Sequence, residues 1–483
     1  MKPVSMRALA LAAALSGLSL PALAGELSPQ ARAQITSTVE RNQPALDHAA
    51  LEIWKFAELG YQETQSSTLL QGQLREAGFQ VTPGIANEPT AFLASFKNGD
   101  GPVIAVLAEY DALPGLSQTL NPVQESAGGH AGHGCGHNLF GAASVHAAIA
   151  VKDWMVANNI KGELRVYGTP AEEGGSGKVY MVRDGLFNDV DVAVHWHPGN
   201  VNSARQGDTM SNVSGKFRFY GTAAHAAAAP DRGRSALDGV EAMNAMVNLM
   251  REHVPDRTRI HYAITDGAKA PNVVPAFAES YYYVRHNDPQ IVRDVLERVK
   301  KAAEGAALGT GTRVEFEAIG GVYSMLPNEA LMNVMDRNLR HVGGITWTPE
   351  EIALATEIQK TLPTRPDLAS VGTIEPAVIG GDFGGSTDVS DVSWVAPTVG
   401  LSTATFVPGS AGHSWQNVVA AGSTIGLKGA HLAAKTLALT TAELFQSPDT
   451  IATAKAEFER RRGPDFKYEA LLGDRAPALN YRD

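Results

Sequence analysis

Four short apolar runs, "TAFLASF", "VIAVLAEYDALPG", "GELRVYGTPAEE" and "DVDVAVHWHPG", alternate with segments of helical spacing. No other feature constrains the fold as strongly. A strand that is apolar along its length must be covered on both faces, so the pattern predicts an α/β fold: a mostly parallel twisted sheet with helices on both sides. The stretch 29–80 reads as mostly helical, and "NLFGAASVHAAIAVKDWMVANN" as a helix beginning close to Asn138. Functional groups of such sheets collect beyond the carboxyl ends of the strands. Glu109 and Asp111 close the second run, Glu172 and Glu173 the third, and His195 falls in the fourth. An acidic residue after a strand can also simply cap the next helix, so each one alone says little.

From about residue 209 the pattern changes. "SGKFRFYGTAAHAAAAP" reads as a strand and turn; "SALDGVEAMNAMVNLMREHV" reads as a helix behind an N-cap at Ser235, with Leu237, Val240, Val247 and Met250 at helical spacing. A second strand and helix follow in "AFAESYYYVRHNDP" and "QIVRDVLERVKKAAEG". This two-strand, two-helix unit is expected to form a small inserted α+β domain over 209–318, after which the first domain resumes over 319–483.

The chain opens with Lys2 and Arg7, an apolar run of about a dozen residues and a small-residue ending at Ala24, the pattern of a cleaved secretory signal over 1–24. That run is shorter than the ~20 residues that span a bilayer, and no later segment reads as a span. The mature chain is then expected to start near Gly25 and to be periplasmic or secreted. Without Lys2 and Arg7 the net charge moves from −11 to −13, because 40 basic residues become 38 against 51 acidic ones. Such a balance argues against a nucleic-acid partner.

The single cysteine, Cys135, sits in "GHAGHGCGHNLFGAA". A lone thiol cannot form an intrachain disulfide and is at risk in an oxidising compartment. Held as a thiolate by a divalent cation, it resists oxidation and lends charge to the site. Cys135 and His137 are spaced i and i+2, which in extended backbone sends both side chains to one side. Glu172 and Glu173 are adjacent and point different ways, so one can bind metal while the other serves as a base. His195 and His197 repeat the same-side spacing, and only one of them need be a ligand. His413, in "AGHSWQN", offers a distant imidazole.

The blocks "LAEYDALPG", "GHGCGHNLFGAA", "TPAEEGGSGK", "AAHAAAAPDRGRSALD", "APNVVP", "STDVSDVSW" and "GHSWQN" resemble, in order, those of the co-catalytic metallopeptidase family that contains aminoacylases, glutamate carboxypeptidases and auxin-conjugate hydrolases. The resemblance implies two divalent ions, Zn²⁺ or Mn²⁺, held by Cys135, His137, Glu173, His195 and His413, with Glu172 as general base. It implies that His225 steadies the oxyanion, often from a neighbouring subunit. Asn272 and Arg285 match contacts to the substrate's carboxylate side, and Asp111 would orient a ligand from behind. His130, His133 and His197 are left without roles. The fold implied is a zinc-peptidase-like catalytic domain over 25–208 and 319–483, with 209–318 as a lid and dimerisation domain. Glu109 replaces the usual first metal-binding histidine of the aminoacylase type and stays outside the ligand set. An arginine that the family places after "GGSTD" is missing, which leaves one carboxylate anchor open, and "GGDFGG" reads as a turn.

The implied activity is hydrolysis of the amide bond of an N-acyl or N-aroyl amino acid, an aminobenzoyl-glutamate-like compound being the first expectation. A dipeptidase or small carboxypeptidase is an alternative, as is a non-catalytic metal-binding partner of a related subunit. Glu172 weighs against the last, since mere binding needs no free carboxylate beside the ligand. No nucleic acid and, after signal cleavage, no membrane is expected as a partner. A two-strand sheet is marginal alone, so pairing through the insert is expected, as a C₂ homodimer or with a homologous subunit.

Overall fold

The computed structural model describes residues 25–382 and 385–482; the expected signal over 1–24 and part of the "GGDFGG" turn lie outside them. The chain lays down β1 (Gln80–Pro83), β2 (Phe92–Lys97), β3 (Val103–Ala108), β4 (Glu163–Gly168) and β5 (Val192–Gly199). It then makes the insert from β6 (Ser211–Tyr220), β7 (Arg259–Asp266), β8 (Phe277–His286) and β9 (Arg313–Val322), and returns for β10 (Thr398–Ala404). The main sheet has the order β1-β2-β4-β3-β5-β10. Its last four strands are parallel, and β1 and β2 form an antiparallel edge. All four apolar runs are strands of this sheet, as full coverage of both faces requires.

The helix α1 (His137–Asn158) runs across the sheet, against β3, β4 and β5, with a long later helix (Thr424–Gln446) packed beside it against β5 and β10. Its low amphipathicity follows from that position, because nearly every side chain from His137 to Val151 is buried. By length and composition α1 could cross a bilayer, which corrects the expectation that no segment after the signal could. Here it is the core helix of the α/β layer, and Leu139, Phe140, Val145, Ile149 and Trp154 pack into one continuous apolar core with Ile104, Val106, Val194 and Leu437.

The insert carries four strands rather than two, in the order β7-β8-β6-β9 and antiparallel throughout. The helices α2 (Ala236–Met250) and α3 (Pro289–Thr310) cover one face. Val213, Phe217 and Phe219 of β6 pack there against Val240, Met243 and Val247 of α2 and Val292, Val295 and Val299 of α3. Ser235 caps α2 by accepting from the amide of Asp238 at 3.1 Å. Sequence periodicity misses β7 because nearly all of it is exposed, and misses β9 because most of its side chains are only half-buried. With four strands and two helices the sheet is not marginal, so it needs no second copy to be stable. β9 ends with Val322 opposite Asn212 at the start of β6, so the chain leaves and re-enters the main domain at one point.

Candidate metal centre

Each donor stands where a main-sheet strand ends or a helix begins. β3 stops at Ala108 and delivers Glu109 and Asp111; α1 starts at His137, behind Gly136, whose φ of 77° suits glycine. The loop after β4 carries Glu172 and Glu173, β5 carries His195 and His197, and His413 precedes the short helix Trp415–Ala421.

Two groups of three donor atoms share the sulfur of Cys135. One joins Cys135, His137 and His197, the other Cys135, Glu173 and His413, and within each group the ligand atoms lie within 4.8 Å of one another. The Cys135 Sγ is 3.5 Å from Nε2 of His197, and Nε2 of His413 is 3.2 Å from Oε1 of Glu173. Asp111 takes Nδ1 of His137 at 2.8 Å, leaving the buried Nε2 without a hydrogen bond, 3.1 Å from Glu109 Oε2. Burial pushes the Cys135 thiol up. Burial opposes a charge on His137, but Cys135, Asp111 and Glu109 outweigh it and hold its pKa well above the ordinary histidine value. Burial would likewise raise the Glu173 carboxyl, yet the hydrogen bond from His413 and the charge of His137 keep it low. A sulfur flanked by imidazoles, with the buried His137 Nε2 left without a hydrogen bond and the Glu173 carboxylate beside it, suits a pair of borderline divalent ions.

His195 belongs to neither group. Its ring lies over Gly400 of β10, so closely that a Cβ there would run into it, and its buried Nδ1 has no partner. Burial lowers its pKa to about 4, so the ring is neutral. The structure places His197, not His195, beside Cys135 and His137. Two residues of strand advance about 6.6 Å, and that step carries the later histidine to the carboxyl end of β5.

Glu172 falls with Glu109 and His137 in a third group of close donors. Burial raises its carboxyl well above the usual range, and Glu173, Glu109 and Asp388 push the same way. Behind it lies a fully buried lysine that sequence reasoning missed. Lys178 Nζ is 2.7 Å from Glu109 Oε1 and 2.8 Å from Asp388 Oδ1, while its amide donates to Asp388 Oδ2 at 2.9 Å. Glu63 steadies the glutamate loop by accepting from the amide of Ala171 at 2.9 Å. Lys178 and Asp388 lie inside the blocks "TPAEEGGSGK" and "STDVSDVSW", but nothing local in those blocks shows that the two pair, and no periodicity or motif marks Glu63. For His197 the same-side spacing is the signal.

The insert residues stand apart from these donors. His225 is exposed, and its Nδ1 accepts from the amides of Ala227 and Ala228 at 3.2 Å each. The Asn272 carbonyl accepts from Ala226 at 3.0 Å on the adjoining loop, and Arg285 lies over the Tyr283 ring at 5.3 Å. Among the described residues no hydrogen bond or ion pair joins these three to the donor groups of their own chain. His133 is buried with Nε2 3.0 Å from the Ile53 carbonyl, a packing role, and His130 is exposed.

Residues 209–310 match the model of the peptidase dimerisation domain of M20 proteins. Over 456 residues the chain is 41% identical to one of the subunits of the p-aminobenzoyl-glutamate hydrolase of Escherichia coli, covering 88% of this chain and 94% of that protein. The chain belongs to the M20 metallopeptidase family. Like its relatives, this M20 protein is a hydrolase of C–N amide bonds. The Xaa-Arg dipeptidase of Mus musculus is 29% identical over 84% of the chain and 87% of its own length. The fold is shared with a dinuclear metal-binding peptidase of the M20 family from Bacillus subtilis, with a TM-score of 0.58, 19% identity, and coverage of 84% of this chain and 99% of that one. The candidate donors support divalent metals here too.

Proposed function

We propose that this M20 hydrolase cleaves N-acyl or N-aroyl amino acids, p-aminobenzoyl-glutamate-like compounds first, using two Zn²⁺ or Mn²⁺ ions. The observation that carries the reading is one sulfur common to two donor groups, with Glu172 beside Glu173 and free of both groups. His137, His197 and Cys135 would hold one ion; Cys135, Glu173 and His413 would hold the other. When bound, two such ions polarise a carbonyl and lower the pKa of water toward ~7.

The chain's own groups do the rest. Glu172 takes the proton of the attacking water and passes it to the nitrogen of the departing amine, a role worth about 10²–10⁴-fold. Its raised pKa suits it to hold that proton between the two steps. His225 stabilises the charge that develops on the carbonyl oxygen. Because no hydrogen bond or ion pair among the described residues joins His225 to the donors of its own chain, it would serve the site of a second copy in a C₂ dimer. Met246 and Leu249 of α2 and Tyr262 and Ile264 of the edge strand β7 are exposed and are the apolar surface available for that contact. Asn272 and Arg285 then receive the substrate carboxylate. Pairing with a homologous subunit is the other assembly, supported by a relative that is itself named as a subunit. The signal over 1–24 would send the mature enzyme to the periplasm or outside the cell. Dipeptide hydrolysis is the second reading, favoured by the likeness to Xaa-Arg dipeptidase.

The test is a hydrolysis screen of N-aroyl and N-acyl amino acids and dipeptides, before and after chelation and with Zn²⁺ or Mn²⁺ restored. Full turnover by the stripped protein would overturn the metal mechanism. Glu172→Gln should keep its metal and lose turnover, whereas Glu173→Gln should lose metal; the reverse pattern would exchange the two roles. Mixing inactive His225→Ala and Glu172→Gln chains should restore part of the activity. A verified mixed dimer without activity would show that His225 works within its own chain.

A further inference from the structure

The segment after the last helix (Pro448–Arg462) runs back across the junction of the insert and the main domain, and it finishes on the glutamate loop. Tyr468 and Phe466 join Tyr323 and Trp394 where the insert rejoins the main domain, with ring centroids 5.3 Å apart for Tyr323 and Tyr468 and 4.8 Å for Trp394 and Phe466. The Tyr468 hydroxyl donates to Asp391 at 2.7 Å. Arg475 donates to the carbonyl of Ala318 at 2.7 Å and to that of Ile319, both on β9. Farther on, the Tyr481 ring meets Tyr61 edge-on at 5.7 Å, and its hydroxyl donates to the carbonyl of Glu173 at 3.2 Å. The Arg482 guanidinium donates to the same carbonyl.

These last contacts complete a clamp on one residue. The amide of Glu173 donates to Asp111 at 2.9 Å, so the peptide groups on both sides of its Cα are tied. Next in the chain come Gly174 and Gly175, the first with φ of 96°, and such a loop has little stiffness of its own. We propose that Tyr481 and Arg482 are positioning residues for Glu173, holding its peptide so that its carboxylate stays beside Cys135 and His413. Because the same strap is fastened to β9, the placement of Glu173 depends on how the insert is seated.

This rests on the reading of Glu173 as a metal ligand, and the test separates the two. Zn²⁺ alone is titrated into metal-free full-length protein against a chromophoric chelator, for the parent, Tyr481→Phe, Tyr481→Phe with Arg482→Ala, Arg482→Lys and Glu173→Gln. One zinc should keep its affinity in the double variant while the other weakens by about tenfold or more, as lost supporting contacts to a ligand typically cause. Arg482→Lys should retain most of that affinity. Tyr481→Phe keeps the ring on Tyr61 and loses only the hydroxyl, so it should weaken the same zinc and stays readable where the double variant fails to fold. A role in stability alone would lower the melting temperature and leave both zinc affinities at the parental values, which would overturn the proposal. If Glu173→Gln itself binds both zinc ions normally, the ligand reading fails instead.

Discussion

Asp111 and His137 are joined by a 2.8 Å contact between Oδ1 and Nδ1, and the other oxygen of the same carboxylate accepts from the amide of Glu173 at 2.9 Å. One buried carboxylate thus fixes the ring of one donor and the backbone of another. Burial would raise the Asp111 carboxyl, but the charge and hydrogen bond of His137 hold it below the usual range. Asp111→Asn should weaken metal binding about 10–100-fold, the usual cost of losing a partner that orients a ligand. Metal content after dialysis against a metal buffer measures this. Unchanged content would mean that the ligands orient themselves.

The two histidines of β5 give a sharp contrast. His197→Ala should lose metal and turnover together, since His197 stands with Cys135 and His137. His195→Ala should keep the metal, because its ring lies against Gly400 and outside both donor groups. Elemental analysis of the two purified variants decides it, and metal loss in the His195 variant alone would restore the family-based assignment.

Lys178 is wholly buried between Glu109 and Asp388. Lys178→Met removes the cation and leaves two carboxylates without it, which should destabilise the fold by about 3–5 kcal/mol. Adding Glu109→Gln and Asp388→Asn should recover part of the loss. Urea midpoints of the single and triple variants are the readout, and equal midpoints for parent and single variant would refute the argument.

Glu63 carries a pH signature. Burial first, and then Asp111, raise its pKa from 4.5 to about 8 in the folded chain. The folded state therefore holds a proton that the unfolded state has released, and the stability from this group, full below about pH 4.5, is lost as pH rises toward 8. Glu63→Gln should flatten that part of the stability–pH curve. Chemical denaturation at a series of pH values would show it, and a variant curve parallel to the parent would exclude Glu63 as the source.

The main sheet is legible because its strands are covered on both faces and so read as apolar runs. The helix Pro349–Gln359 is hidden by its proline-rich surroundings, although Thr348 and Glu351 close a capping box at its start. β7 is not legible, since pairing with β8 rather than burial keeps it in place. At the site, spacing and family likeness mark Cys135, His137, Glu173 and His413, and the structure gathers these four. The choice between His195 and His197 turns on how far β5 runs before it reaches Cys135, a length that spacing does not contain. Lys178 with Asp388, and Tyr481 with Glu173, meet across 210 and 308 residues. No local pattern reports such pairs.

The sulfur of Cys135 belongs to both donor groups, so a change at this one atom reaches both of them. Two sites built from separate ligands can be emptied one at a time, leaving a half-loaded protein with residual chemistry. On the proposed reading of the two groups as metal sites, a single alkylated or oxidised atom would take a donor from each, so damage at Cys135 should weaken both sites together, whereas loss of Glu173 or His197 should weaken only one.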